Sequence, residues 1–111
     1  MDTNRKLLPS LSQKVLTYFT ELGFDSDTCA TLTAKLNETI LALVPEIEAT
    51  FSEKKKENLR GQFHALKGAL ANCGLADEAL LASALEKLAK DDAPLEKMNL
   101  EMDEFLKNLF T

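Results

Sequence analysis

The apolar residues of this chain recur every three or four positions, the spacing of helices that bury one face. Five such stretches follow one another, and no stretch alternates apolar and polar residues as a half-buried strand would. The pattern predicts helices over roughly 10–22, 27–51, 55–73, 76–90 and 94–109.

Glycine, proline and acidic residues mark the predicted ends of these helices. Gly23 and Gly74 each follow a helix at the position where a left-handed residue commonly ends it. Residues 25–27 offer three candidate N-caps for the second helix. Pro94 occupies a first-turn position of the fifth helix, where its missing N–H costs little.

Pro45 lies inside the second apolar stretch. A proline in a helix removes one backbone hydrogen bond and clashes with the preceding turn. The apolar spacing nevertheless continues across Pro45 in phase, which favours one long kinked helix. A break just before Pro45 is the alternative.

Each helix has an apolar side that predicts its contribution to the core. In the third helix this side comprises Leu59, Phe63, Leu66, Leu70 and Cys73. In the fourth it comprises Leu80, Leu81, Ala84, Leu85 and Leu88. Amphipathic helices with short connections predict an all-α antiparallel bundle, with a four-helix core and an additional N-terminal helix. We expect a single domain over 1–111, with 1–9 flexible or extended.

Composition narrows the function classes. A net charge of −5 over 111 residues argues against nucleic-acid binding. The spacing of Cys29, His64 and Cys73 fits no known metal motif, and no glycine-rich phosphate loop or hydrolase motif is present. No apolar run could span a membrane, and no secretory signal is visible. We therefore expect a cytoplasmic protein with reduced cysteines and no membrane partner.

His64, the one histidine, lies roughly 140° around the third helix from its apolar side. Its neighbours on the helix surface include Arg60, Lys67 and Gly68. A neutral imidazole is a competent nucleophile, and nearby cations disfavour its protonation and stabilise incoming phosphoryl oxygens. A mid-helix glycine costs about 1 kcal/mol relative to alanine, so Gly68 needs a reason. One reason is free space beside the imidazole for a partner that delivers a phosphoryl group.

The run His64-Ala65-Leu66-Lys67-Gly68, with Gly74 after it, resembles the HxLKG motif of histidine-containing phosphotransfer (HPt) domains. The resemblance extends over roughly 27–109 when helix lengths and order are included. It implies that His64 accepts the phosphoryl group, that Lys67 stabilises it, and that Gly68 clears space for a docking partner. Arg60 is an additional candidate from its position. Ala69 and Leu75 depart from the family pattern and bear on partner choice.

The resemblance also implies partners. HPt domains are helical bundles that pass phosphoryl groups between receiver-domain aspartates in His–Asp phosphorelays. We therefore expect receiver domains of response regulators or hybrid histidine kinases as partners, with Mg²⁺ in the receiver and no cofactor or metal in this chain. Ala71, Tyr18 and Leu22 are candidate apolar docking residues. A monomer is expected.

Three functions remain open from the sequence. The first is a phosphorelay intermediate that carries the phosphoryl group on His64. The second is a helical module that binds a receiver or a histidine kinase without being phosphorylated. The third is an enzyme in its own right, although no nucleotide site is visible and no autonomous kinase activity is expected.

Overall fold

The computed structural model describes residues 5–110, and Met1–Asn4 and Thr111 lie outside the described part. The described residues form five α-helices and one short 3-10 turn, Lys56–Asn58. The helices are α1 (Pro9–Glu21), α2 (Ser26–Glu53), α3 (Leu59–Ala71), α4 (Ala76–Lys90) and α5 (Leu95–Leu109). Extended pairing within residues 5–110 is limited to one antiparallel bridge between Leu7 and Phe110. The predicted all-α bundle is confirmed.

The helix ends follow the cap residues that the sequence offers. Gly23 and Gly74 have φ values of 97° and 84°, the left-handed conformation expected of glycines that end helices. Asp25 is the N-cap of α2, because its carboxylate accepts a 2.7 Å hydrogen bond from the backbone N–H of Thr28. That bond also lowers the pKa of Asp25.

The start of the third helix differs from the prediction. Lys54 ends α2 in the left-handed conformation, with φ of 57°. The 3-10 turn Lys56–Asn58 then precedes α3, which begins at Leu59 rather than at residue 55. Polar residues occupy this whole connection, so the apolar spacing that locates helices gave no boundary there.

Pro45 lies inside α2, which is continuous over 28 residues. The alternative of a break before Pro45 is wrong. Pro45 and Leu41, whose carbonyl loses its helical partner, both lie on the exposed side of α2. Water can therefore reach the freed carbonyl. At about 1.5 Å per residue the helix is about 42 Å long, and the longest dimension of the molecule is 44 Å.

The apolar side of α3 lies at the centre of the core, as predicted. Leu59, Phe63, Leu66 and Leu70 are completely buried, and Cys73 follows them into the core. The ring of Phe63 packs 6.3 Å from that of Phe51 on α2. The opposite side of α3 is thereby directed away from the core.

The predicted core side of α4 is wrong in part. Leu80 and Leu81 are 70% and 41% exposed, whereas Ala79 and Ala82 are buried with Leu85. The pair α3 and α4 packs more extensively than any other pair of helices in residues 5–110. Small residues at this contact let the two backbones approach closely, so alanines take the positions that leucines were expected to fill.

The segment before α1 is held against the C-terminal end of the chain. Leu7 is buried and bridges Phe110, and the backbone N–H of Leu8 donates to the carbonyl of Leu109 at 2.8 Å. The guanidinium of Arg5 lies 5.7 Å from the centre of the Phe110 ring and 2.7 Å from the carboxylate of Glu48. Residues 5–8 are therefore extended and packed, and the prediction for 1–4 lies outside the described residues.

Within the described part of the chain, no helix combines the length and apolar character that a membrane crossing requires.

Candidate functional site

His64 lies in the middle of α3, on the side that the core does not use. Its side chain is 67% exposed. Phe63, the residue before it, is completely buried, because adjacent positions of a helix lie about 100° apart around its axis. The helix thus holds the imidazole at a fixed place on the surface, on an element whose other side is anchored in the core.

One carboxylate connects His64 with Lys67. Oε2 of Glu86 on α4 lies 2.8 Å from Nδ1 of His64, and Oε1 of Glu86 lies 2.8 Å from Nζ of Lys67. The Glu86 side chain is only 18% exposed, so it is largely screened from water by the two helices. The three side chains form a bridged cluster between α3 and α4.

The Glu86 carboxylate determines which imidazole nitrogen is available. An ionised carboxylate only accepts hydrogen bonds, so in the neutral ring Nδ1 carries the hydrogen and donates it to Glu86. Nε2 then keeps its lone pair. Because His64 is mostly exposed and Nδ1 is engaged, Nε2 is the nitrogen that an incoming electrophile meets.

The surroundings of Glu86 keep it ionised. The ammonium of Lys67 is the largest cause that lowers the pKa of Glu86 below its ordinary value, and the hydrogen bond with His64 acts in the same direction. Partial burial opposes both, but the net shift is downward. Glu86 is therefore a carboxylate, not a carboxylic acid, throughout the neutral range.

Arg60 does not join this cluster. Its side chain is exposed and forms no ion pair with any residue between 5 and 110. It lines a shallow depression of about 330 Å³ at the α4 side of α3, beside Lys56, Ala89 and Lys90. Arg60 and Lys67 therefore do not alone define the charge around the imidazole, because the group in direct contact with His64 is Glu86, an anion.

The surface on the other side of His64 is open. A Cβ built on Gly68 would meet no atom within 4 Å, so no neighbouring element of the described structure requires glycine at this position. Ala71 and Leu22 are exposed, as a docking surface requires, and Tyr18 is half-buried. Residues 5–110 therefore leave space beside Gly68, and the role of this space in docking stays a prediction.

Comparison with protein families identifies the family to which this chain belongs. Residues 27–110 match the family model of the Hpt domain, which covers α2 to α5 and all three members of the bridged cluster. The chain belongs to the Hpt domain family. Comparison with curated proteins and with solved structures gave no match.

The Hpt match begins after α1, so α1 is an addition to the matched region. It is nevertheless an integral part of the bundle, since Leu11, Val15 and Phe19 are buried in the core. Its Tyr18 ring lies against Gly74, where a Cβ would approach ring atoms to less than 3.0 Å. Gly74 is therefore required twice, by its positive φ and by the close contact with Tyr18.

The two cysteines of this Hpt chain belong to the core. Both are buried and unpaired, and Sγ of Cys73 lies 3.1 Å from the carbonyl of Leu70. Burial raises the pKa of the Cys73 thiol, which favours its neutral form. Among residues 5–110 no three His, Cys, Asp or Glu side chains are grouped as a metal site would require.

Glu86 is not among the site residues that the sequence predicts. It lies 22 residues after His64 on another helix, and α4 carries further acidic residues at Asp77 and Glu78. Only the packing of α4 on α3 selects Glu86 among them. The sequence contained a weak signal for it. An exposed histidine and lysine one turn apart favour a carboxylate partner, and an antiparallel fourth helix is the element that would supply one.

Proposed function

We propose that this Hpt protein is a phosphorelay intermediate that accepts a phosphoryl group on His64 from a receiver-domain aspartate and passes it to another receiver domain. The observation that supports this most strongly is the 2.8 Å contact between Nδ1 of His64 and the Glu86 carboxylate, which leaves Nε2 as the exposed nucleophile. Membership of the Hpt domain family supplies the reaction class. The proposal treats the chain as one domain that acts in the cytoplasm, as a monomer.

In the transfer step, Nε2 of His64 attacks the phosphorus of the partner's aspartyl phosphate. The N–P bond forms as the bond between phosphorus and the aspartate oxygen breaks, and the aspartate leaves as a carboxylate. Nδ1 keeps its hydrogen, so the phosphorylated ring can hold a positive charge that the Glu86 carboxylate offsets. The reverse sequence delivers the phosphoryl group to the next receiver.

The neighbouring residues have distinct roles in this proposal. Lys67 lies within reach of the same carboxylate as His64, and its ammonium can stabilise phosphoryl oxygens that arrive at Nε2. Gly68 leaves the adjacent surface open for the partner. Arg60 is further away and contributes to a cationic border that complements an acidic receiver pocket.

The metal belongs to the partner in this proposal. A receiver pocket that holds Mg²⁺ supplies the charge that orients and stabilises the transferring phosphoryl group. This chain contributes the nucleophile, its orienting carboxylate and a cation, and it requires no cofactor. No autonomous kinase activity is expected, because transfer uses a phosphoryl group that is already activated on an aspartate.

The test is phosphotransfer from a panel of phosphorylated receiver domains to the wild-type chain and to His64→Gln. Glutamine preserves polarity and helix propensity, so the variant should fold normally. We expect acid-labile, base-stable phosphate on the wild type and none on His64→Gln. Circular dichroism of both proteins serves as the folding control.

The remaining alternatives appear as outcomes of the same experiment. If a receiver binds wild type and His64→Gln equally and phosphorylates neither, the chain is a non-phosphorylated interaction module and the proposal fails. If the purified chain turns over ATP by itself, it is an enzyme and the proposal fails as well.

A further inference from the structure

The four glycines of the chain fall into two classes. Gly23 and Gly74 have positive φ, so the backbone itself requires glycine there. Gly61 and Gly68 lie in α3 without positive φ, and a Cβ on either would meet no atom within 4 Å. Nothing in the described structure explains the second class, although a helical glycine is less stable than alanine.

Gly61 and Gly68 lie on the same side of His64. Gly61 precedes the histidine by three residues and Gly68 follows it by four, so the two are two turns apart, about 10 Å along the helix. Seven residues nearly complete two turns, which places both glycines on one line beside the imidazole. We call these two positions the glycine side.

Arg60 and Lys67 are also seven residues apart, and they lie on the opposite side of the imidazole. Lys67 contacts Glu86 of α4, and Arg60 lines a depression with Ala89 and Lys90 of the same helix. The cationic side of His64 therefore faces α4.

The glycine side is the side of His64 turned away from α4, and α2 lies beyond it. Ala69, the residue after Gly68, lines a groove of about 280 Å³ that lies between α3 and α2. The groove is also lined by Asn72 and Cys73 of α3, by Phe19 of α1, and by Leu32, Lys35, Leu36 and Thr39 of α2. The order across the surface is thus α4, the cations, His64, the glycines and α2. The imidazole has polar side chains on one side and bare backbone on the other.

We infer that Gly61 is a specificity-determining residue, which lets the phosphorylated receiver cover the α2 side of His64 over two full turns of α3. The inference rests on the proposed function and extends it. A side chain on Gly61 would project from the surface that the receiver must cover, and it would leave the imidazole and the Glu86 contact unchanged. Gly68 alone would clear only the turn that follows His64.

The experiment compares two phosphoryl donors on Gly61→Gln. One donor is a phosphorylated receiver domain, which must dock. The other is phosphoramidate, a small donor from which Nε2 takes the phosphoryl group as the P–N bond breaks and ammonia leaves with a proton from water. We expect the second-order rate constant with the receiver to fall about tenfold or more, because small misplacements at a transfer site have effects of that size. The rate with phosphoramidate should equal that of the wild type.

Two further variants make the comparison specific. Gly61→Ala should slow receiver transfer less than Gly61→Gln, since the obstruction depends on size. Ala84→Gln adds the same side chain at an exposed position in the groove between α4 and α5, away from α3, and should leave both rates unchanged. The thermal midpoints of all three variants show whether each is folded.

The outcomes separate this inference from the proposed function. Wild type that accepts no phosphate from any receiver contradicts the proposed function. Wild-type transfer with an equal receiver rate in folded Gly61→Gln contradicts the inference alone. An equal loss with receiver and phosphoramidate also contradicts it, because the variant would then disturb His64 rather than docking.

Discussion

The two sides of α3 differ in almost every physical property. On the core side, Leu59, Phe63, Leu66 and Leu70 are completely buried. On the other side His64 is 67% exposed, with an ion-paired cluster on one flank and glycines on the other. The core side carries stability and the exposed side carries the proposed chemistry, so substitutions on the two sides should change different measured quantities.

The largest effect is expected on the core side. Phe63→Ala removes a fully buried aromatic ring that packs on Phe51, and such truncations cost about 3–5 kcal/mol of unfolding free energy. Denaturant unfolding measures the loss. Under conditions where the variant remains folded, its phosphorylation rate should match the wild type, and a large loss of rate in the folded variant would break the separation of the two sides.

The next prediction compares the stability effects of alanine at two neighbouring glycines, Gly74 and Gly68. Gly74→Ala should cost about 2–4 kcal/mol, because alanine disfavours the left-handed conformation and its Cβ would collide with Tyr18. Gly68→Ala should instead stabilise the protein by about 1 kcal/mol, since helical alanine is favoured and the space is open. Thermal or denaturant unfolding of both variants gives the comparison. Equal destabilisation by the two substitutions would show that Gly68 has a structural role.

A smaller effect is expected at the cluster itself. Glu86→Gln keeps a hydrogen-bond acceptor for Nδ1 but removes the charge that balances Lys67 and the phosphorylated ring. We expect the phosphotransfer rate to fall about tenfold, the lower end of the loss seen when a carboxylate that orients a metal-bound histidine is removed. The unfolding free energy should change by less than about 1 kcal/mol, because the two partners of Glu86, His64 and Lys67, are 67% and 33% exposed and solvent screens their charges. A wild-type phosphotransfer rate in Glu86→Gln would show that the Glu86 charge does not contribute to transfer.

The smallest expected effect is the pH dependence of stability that arises from the ionisation of Glu86. Its folded pKa lies below its ordinary value, so its contribution to stability is fully present above the unfolded pKa and is lost as pH falls through the folded pKa. Carboxyl-carbon NMR titration should show the Glu86 pKa rising in Lys67→Met, because Lys67 is the largest cause of the shift. An identical Glu86 pKa in wild type and Lys67→Met would contradict the ion pair.

The sequence predicted the helices well because apolar spacing and cap residues are local signals. Gly23, Asp25 and Gly74 all end or begin helices where expected, and the core side of α3 is confirmed residue by residue. His64 and Lys67 were likewise selected from spacing along one helix, and the structure brings both side chains into contact with Glu86. All of these features depend on residues within a few positions of each other.

The features that the sequence missed depend on how helices pack. The choice of Ala79 and Ala82 over Leu80 and Leu81 as core residues follows from the close approach of α3 and α4, which no periodicity reports. The contact of Glu86 with His64 arises from the same packing. Gly61 lies outside the recognised motif, and its proposed role depends on the open space around it, which no sequence pattern reports.

The central claim is that Nε2 of His64 is the phosphoryl acceptor while Nδ1 remains bonded to Glu86. The direct measurement is nitrogen-15 NMR of the imidazole after transfer from a phosphorylated receiver. The account predicts phosphorus coupled to Nε2, a retained hydrogen on Nδ1, and no phosphate on His64→Gln. Phosphate on Nδ1, or phosphate that persists in His64→Gln, would contradict it.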